Sequence, residues 1–111
     1  MLTASLLAVT LVSGQAATRS ADPALAERSR AGKELMAAGR YAEAAAAYRE
    51  LVRAIPGNAG LLVNLGMALH LSGKDQEAIP QFEAALRLDP GSLPANLFLG
   101  AANLRLGRAT V

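Results

Sequence analysis

A chain of 111 residues that is 52% hydrophobic and 18% charged can build one small folded domain and does not belong to the disordered class. Its 11 basic and 9 acidic residues leave a net charge of +2, and no basic run forms a stripe along a phosphate backbone, so nucleic acid is excluded as a partner. The absence of Cys removes disulfides, thiol catalysis and Cys-ligated zinc, and with aromatics at 4% and no Trp the core must come from Leu, Ala and Val.

The chain opens on MLTASLLAVTLVSGQAATRSADPA, where Arg19 is the first charged side chain. The apolar stretch Leu6 to Val12, with Gly14 and Ala16 at the −3 and −1 places before Ala17, predicts a signal peptide over residues 1–16, cleaved near Ala16. A short apolar helix partitions into an export channel, and small side chains fit the peptidase. The expected location is periplasmic or secreted. No Lys or Arg precedes the apolar run, so a tail on a cytoplasmic protein is the alternative. A stable membrane span is not expected, because spanning takes about 20 apolar residues. Residues 17–22 then form a linker, and the folded domain covers 23–111.

Five helices are expected in that domain, over 23–38, 41–55, 59–72, 76–88 and 93–106. Asp22 before Pro23 reads as an N-cap with Pro at the first helical position, and Asn58, Asp75 and Ser92 read as caps of later helices. Gly39, Gly73 and Gly107 stand where left-handed C-caps are wanted. Pro56 and Pro90 follow helix ends and force the turn into the next element. Pro80 lies near the first turn of its helix, where it removes about one hydrogen bond and bends the helix without breaking it.

A period of 34 residues runs through these elements. It relates Gly32, Gly66 and Gly100, and likewise Gly39, Gly73 and Gly107. Ala44 and Ala78, Tyr48 and Phe82, and Pro56 and Pro90 obey it as well. The glycines of the first series place a missing side chain on the inner face of one helix, so a second helix can approach closely. Tyr48 and Phe82 fill the gap between stacked helix pairs, at i, i+3 and i+4 spacing from Ala44, Leu51 and Ile55 or from Ala78, Ala85 and Leu86.

These residues resemble the tetratricopeptide repeat (TPR) family, whose 34-residue helix–turn–helix unit carries Leu-Gly, large residues, Ala, an aromatic and Pro at fixed offsets. The middle unit, 59–92, matches through Leu62, Leu65-Gly66, Leu69, Ala78, Phe82, Ala85 and Pro90. The first, 25–58, departs where Arg28 takes the usual tryptophan place, which suits a terminal unit whose outer face meets water. The third, 93–111, covers only its first helix, with Asn96 and Asn103 in places usually held by large residues.

The resemblance implies an all-α, right-handed solenoid of antiparallel helix pairs that binds a peptide or helix of a partner protein on its concave face. By helical period that groove would hold Lys33, Met36, Val63, Asn64, Met67, His70, Leu71, Leu97, Leu104 and Arg105. Ser29, Ala37 and Ala101 fall on the same face. Apolar residues dominate, which favours an apolar peptide, although each could equally belong to the inter-helix core. Chaperone-tail-binding members use a clamp of Lys, Asn and Arg residues. Here Asn64 holds one clamp place, while Ser29, Lys33, Pro94 and Phe98 occupy the other four, so the clamp is absent.

No catalytic constellation, cofactor motif or metal set accompanies the repeat. His70 is the one histidine and lacks a second nitrogen or sulfur ligand. Glu27, Glu34, Glu43, Glu50 and Glu83 read as solvated helix faces. The expectation is a non-enzymatic, exported interaction scaffold without cofactor. The alternatives are an accessory region of a larger exported enzyme or assembly factor continuing beyond residue 111, and an oligomeriser that self-associates through its C-terminal edge. Since Phe98, Leu99 and Leu106 make no polar cap, the ending RATV is expected to be a cut in a longer solenoid.

Overall fold

The computed structural model of the chain describes residues 22–108. The signal peptide expected over 1–16 lies outside the described residues, as do Ala109, Thr110 and Val111. Five helices follow in order: α1 (Pro23–Ala37), α2 (Tyr41–Ala54), α3 (Ala59–Leu71), α4 (Asp75–Leu88) and α5 (Leu93–Arg105). Among the described residues there is no strand, and the all-α solenoid is as expected. Each helix packs on the next along the chain, and α3 also packs on α5.

Local chemistry sets the helix ends. The Asp22 carboxylate accepts from the Ala24 N–H at 2.9 Å, Asn58 Oδ1 from the Leu61 N–H at 3.0 Å, and Ser92 Oγ from the Ala95 N–H at 3.3 Å. Each satisfies one of the donors that a helix start leaves free. The other ends repeat one closure at the 34-residue period. Gly39, Gly73 and Gly107 take φ of 76°, 84° and 72°, a conformation open to glycine at no steric cost. The next amide then reaches back to close the helix: Arg40 to the Leu35 carbonyl (2.9 Å), Lys74 to Leu69 (2.8 Å) and Arg108 to Asn103 (2.7 Å).

Two details differ from expectation. Asp75 does not cap α4: Lys74 is the N-cap residue, without a side-chain bond, and Asp75 is the first helical residue. Its carboxylate has other partners, described below. Pro80 is the sixth residue of α4, in the second turn, and the helix runs through it unbroken with Pro80 facing solvent.

The core centres on α3, whose sequence AGLLVNLGMALHL is apolar around most of its circumference because helices flank it on several sides. Tyr48, Leu51, Leu69 and Phe82 are the largest fully buried side chains. Burying each contributes roughly 1.5–3 kcal/mol. Close approach explains the glycine period. A Cβ on Gly32 would lie 3.0 Å from Tyr48 Cζ, and one on Gly66 would lie 2.6 Å from Phe82 Cε1. Ala44 and Ala78, both 0% exposed, thin the opposing helices from the other side. The outer surfaces carry the expected charge pairs, Glu27 with Arg30, Glu43 with Arg40 and Glu50 with Arg28, the last joining α2 to α1.

Candidate functional site

Helices α1 and α3 are the first members of two successive pairs, and residues from both, with the end of α2 and the turn after it, face one opening. They enclose an open cavity of about 370 Å³. Leu25, Ser29 and Lys33 line it from α1, Leu61 and Asn64 from α3, and Ile55 from the turn after α2. The spacing 25, 29, 33 and the spacing 61, 64 each put these side chains on one helical face. Lys33 is the one charged residue on the cavity wall. The lining is therefore mixed, with Leu25, Leu51, Ile55 and Leu61 beside a single cation, the Ser29 hydroxyl and the amides of Asn58 and Asn64. Among the residues expected by helical period, this cavity unites Lys33, Asn64 and Ser29. The period missed Leu25, Ile55 and Leu61, although the i, i+3 relation of Leu61 to Asn64 was the signal that could have found Leu61.

The remaining expected groove residues lie elsewhere. Val63 is 5% exposed and belongs to the core, which its apolar neighbours on α3 dictate. Met36 and Met67 are half-buried against that core. Leu71 is 40% exposed at the end of α3, clear of the cavity. Leu97 and Leu104 are exposed on α5 and do not line the cavity. By the repeat they are the counterparts of Val63 and His70, which neighbouring helices cover.

His70 and Arg105 form a polar cluster with Asp75 that ties α3, α4 and α5 together. His70 Nδ1 lies 2.5 Å from Asp75 Oδ1. The Arg105 guanidinium grips both carboxylate oxygens, donating from Nη2 to Oδ1 at 2.9 Å and from Nε to Oδ2, and also reaches the His70 carbonyl. Asp75 is 4% exposed, so its charge is held inside the fold by this two-pronged pair. The Arg105 hydrogen bond is the main cause that holds the Asp75 carboxyl below the ordinary Asp range; the His70 hydrogen bond acts in the same direction, and burial opposes both. The Phe98 ring meets His70 edge-on at 5.8 Å and stacks on Phe82 at 6.0 Å. With its carboxylate already paired to a guanidinium, the cluster is a clamp between helices. Among the described residues no group of three or more His, Asp or Glu gathers as metal ligands would, and no helix is long and apolar enough to cross a membrane.

Comparison with known proteins agrees with the geometry. The sequence model of the tetratricopeptide repeat family matches residues 29–92 and again 76–111. A curated relative, the TPR repeat-containing thioredoxin TTL4 of Arabidopsis thaliana, is 36% identical over 83 residues, which is 75% of this chain and 12% of that protein. The chain thus spans about an eighth of the length of the curated relative it matches. Among solved structures, the TPR2AB domain of yeast Sti1 in its complex with pHSP90 superposes with a TM-score of 0.71. That likeness covers 94% of this chain and 43% of the other at 24% identity, and it shows the shared fold. The glycine–aromatic seats, the repeated helix closures and the family match over most of the chain make this protein a member of the tetratricopeptide repeat family.

Proposed function

We propose that this protein is an interaction module that takes an apolar peptide bearing one carboxylate into the groove between α1 and α3. The observation that carries this reading is the cavity wall itself: Leu25, Ile55 and Leu61 supply apolar surface, and Lys33 is the sole charge. Apolar side chains of a ligand would be buried there, while Lys33 and Asn64 would select and orient a carboxylate. The proposed role is binding without catalysis. Export belongs to the same proposal and rests on the apolar, charge-free run before Arg19.

A random-peptide selection on the immobilised protein tests the groove. Selected peptides are expected to be apolar with an acidic residue or free carboxyl end, and to lose at least about tenfold in affinity when Lys33→Glu or Asn64→Leu is introduced. Peptides that bind both variants as well as the parent would rule the groove out. The second reading, an accessory region of a larger protein, draws support from the small share of its relative that the chain spans.

A further inference from the structure

Helices α3 and α5 each carry one ionisable side chain along their whole length, His70 and Arg105, and both converge on Asp75, the first residue of α4. One period earlier the same three positions hold Met36, Tyr41 and Leu71. A thioether, a phenol and an aliphatic chain do not change charge on acidification. The same place in the repeat is thus filled by uncharged groups at the first joint of the solenoid and by a charge cluster at the second.

The rest of the second joint is modest. The buried residues of α5 are Ala95 and Ala102, with Phe98 and Leu99 half-buried against the core. Asp75 is 4% exposed, so a proton on its carboxylate removes the charge that Arg105 and His70 face and strips the guanidinium of its counter-ion. Among the described residues no other carboxylate pairs with Arg105. On α4 the neighbouring Lys74 and Glu77 are exposed, and Glu77 faces Arg49 of α2 at 3.9 Å. At the first joint, the Arg28–Glu50 pair between α1 and α2 is about half exposed and contributes little. The Arg105 guanidinium holds the Asp75 carboxyl below the ordinary Asp range. Its contribution is therefore complete above the unfolded value, about 3.9, and is lost as pH falls through the lowered one.

We propose that the His70–Asp75–Arg105 cluster is an acid-sensitive latch: protonation of Asp75 lets α5 part from α3 and α4 while α1 to α4 stay packed together. The joint between the first two units has no such latch. Opening uncovers Phe98 and the Phe82 ring on which it stacks, so aromatic surface is presented only in acid. The cluster lies where α5 meets α3 and α4, and the latch is independent of the outer face of α5 and of the α1–α3 groove.

Backbone amide hydrogen exchange of the whole chain, followed by NMR from about pH 6 to about pH 3 and corrected for the intrinsic rate at each pH, tests the latch. Over that range the α5 amides are expected to lose at least about tenfold more protection than those of α2 and α3. Asp75→Asn cannot titrate at this position, and its α5 should show no step in protection below about pH 4. Copying the first joint onto the second, with His70→Met, Asp75→Tyr and Arg105→Leu together, should remove the step as well. The parent and Asp75→Asn decide the matter even where the triple variant does not fold. Loss of protection in all helices together would overturn the proposal, because acid would then unfold the domain as one unit. So would a step in α5 that persists in Asp75→Asn.

Discussion

Alanine at Gly66 and alanine at Gly100 are the same chemical change on the same repeat position, and they are expected to act in opposite directions. In a helix interior, glycine is about 1 kcal/mol less favourable than alanine, so both substitutions gain that much from the backbone. At Gly100 nothing opposes the gain, because the new methyl meets no atom within 4 Å. Gly100→Ala is therefore expected to stabilise the fold by about 1 kcal/mol. At Gly66 the methyl would sit 2.6 Å from Phe82 Cε1, 2.8 Å from Cζ and 2.9 Å from Cδ1. Carbon atoms prefer about 3.5–4.0 Å, so the ring must withdraw by about an ångström. It has nowhere to go: Phe82 is 0% exposed and stacks on Phe98. Overpacking of this kind costs about 1–3 kcal/mol, which leaves Gly66→Ala destabilised by up to about 2 kcal/mol after the backbone gain. The two variants should differ by roughly 1–3 kcal/mol. At about 4–8 °C per kcal/mol for a domain of this size, that separates their Tm values by roughly 5–20 °C. Gly32→Ala should fall between them, since its nearest contact, Tyr48 Cζ at 3.0 Å, is less severe. Thermal unfolding followed by far-UV circular dichroism, with urea titration to check for constant m-values, measures the order. A Gly66→Ala protein at least as stable as Gly100→Ala would refute the reasoning that glycine is there to admit the ring.

Arg105→Met removes the main interaction that lowers the pKa of Asp75. A carboxyl whose pKa is lower in the folded state stabilises the fold above its unfolded value, about 3.9, and that stability drains away as pH falls through the lowered value. With only His70 left as partner, the Asp75 pKa rises and acid unfolding should begin at a higher pH, as read by circular dichroism during acid titration; an unmoved midpoint would show that the clamp carries no linkage. Asn58→Ala deletes the side-chain cap of α3 and should cost about 1 kcal/mol in urea unfolding, whereas Asn58→Asp should be close to neutral.

The repeat frame was legible in the residues because it depends on local chemistry. Asp22, Asn58 and Ser92 cap the helices they precede, and Gly39, Gly73 and Gly107 close the helices they follow. Gly32, Gly66, Tyr48 and Phe82 announced the close packing, since a small residue and a large one recurring together imply a seat and its occupant. The candidate site was legible only in part. Lys33 and Asn64 line one cavity, Val63 is buried in the core, and Leu97 and Leu104 are exposed on α5 without lining that cavity. A helical period assigns a direction to each side chain and says nothing about which neighbour lies in that direction.

The sequence by itself determined the number of helices, their ends, their pairing and the family, all of which follow from short-range spacing and the 34-residue period. Only the tertiary structure decided what Asp75 does. Its position before a helix reads as a cap, but Arg105, thirty residues away in sequence, and His70 draw its carboxylate into a buried pair. A charge that is 4% exposed must take the partners that best replace its lost water, and those are set by how α3, α4 and α5 meet. Tertiary packing likewise decided how tight each glycine seat is: a Cβ would stand 3.0 Å from the ring at Gly32 and 2.6 Å at Gly66, a difference that the shared 34-residue period cannot show because it depends on how the two helices meet.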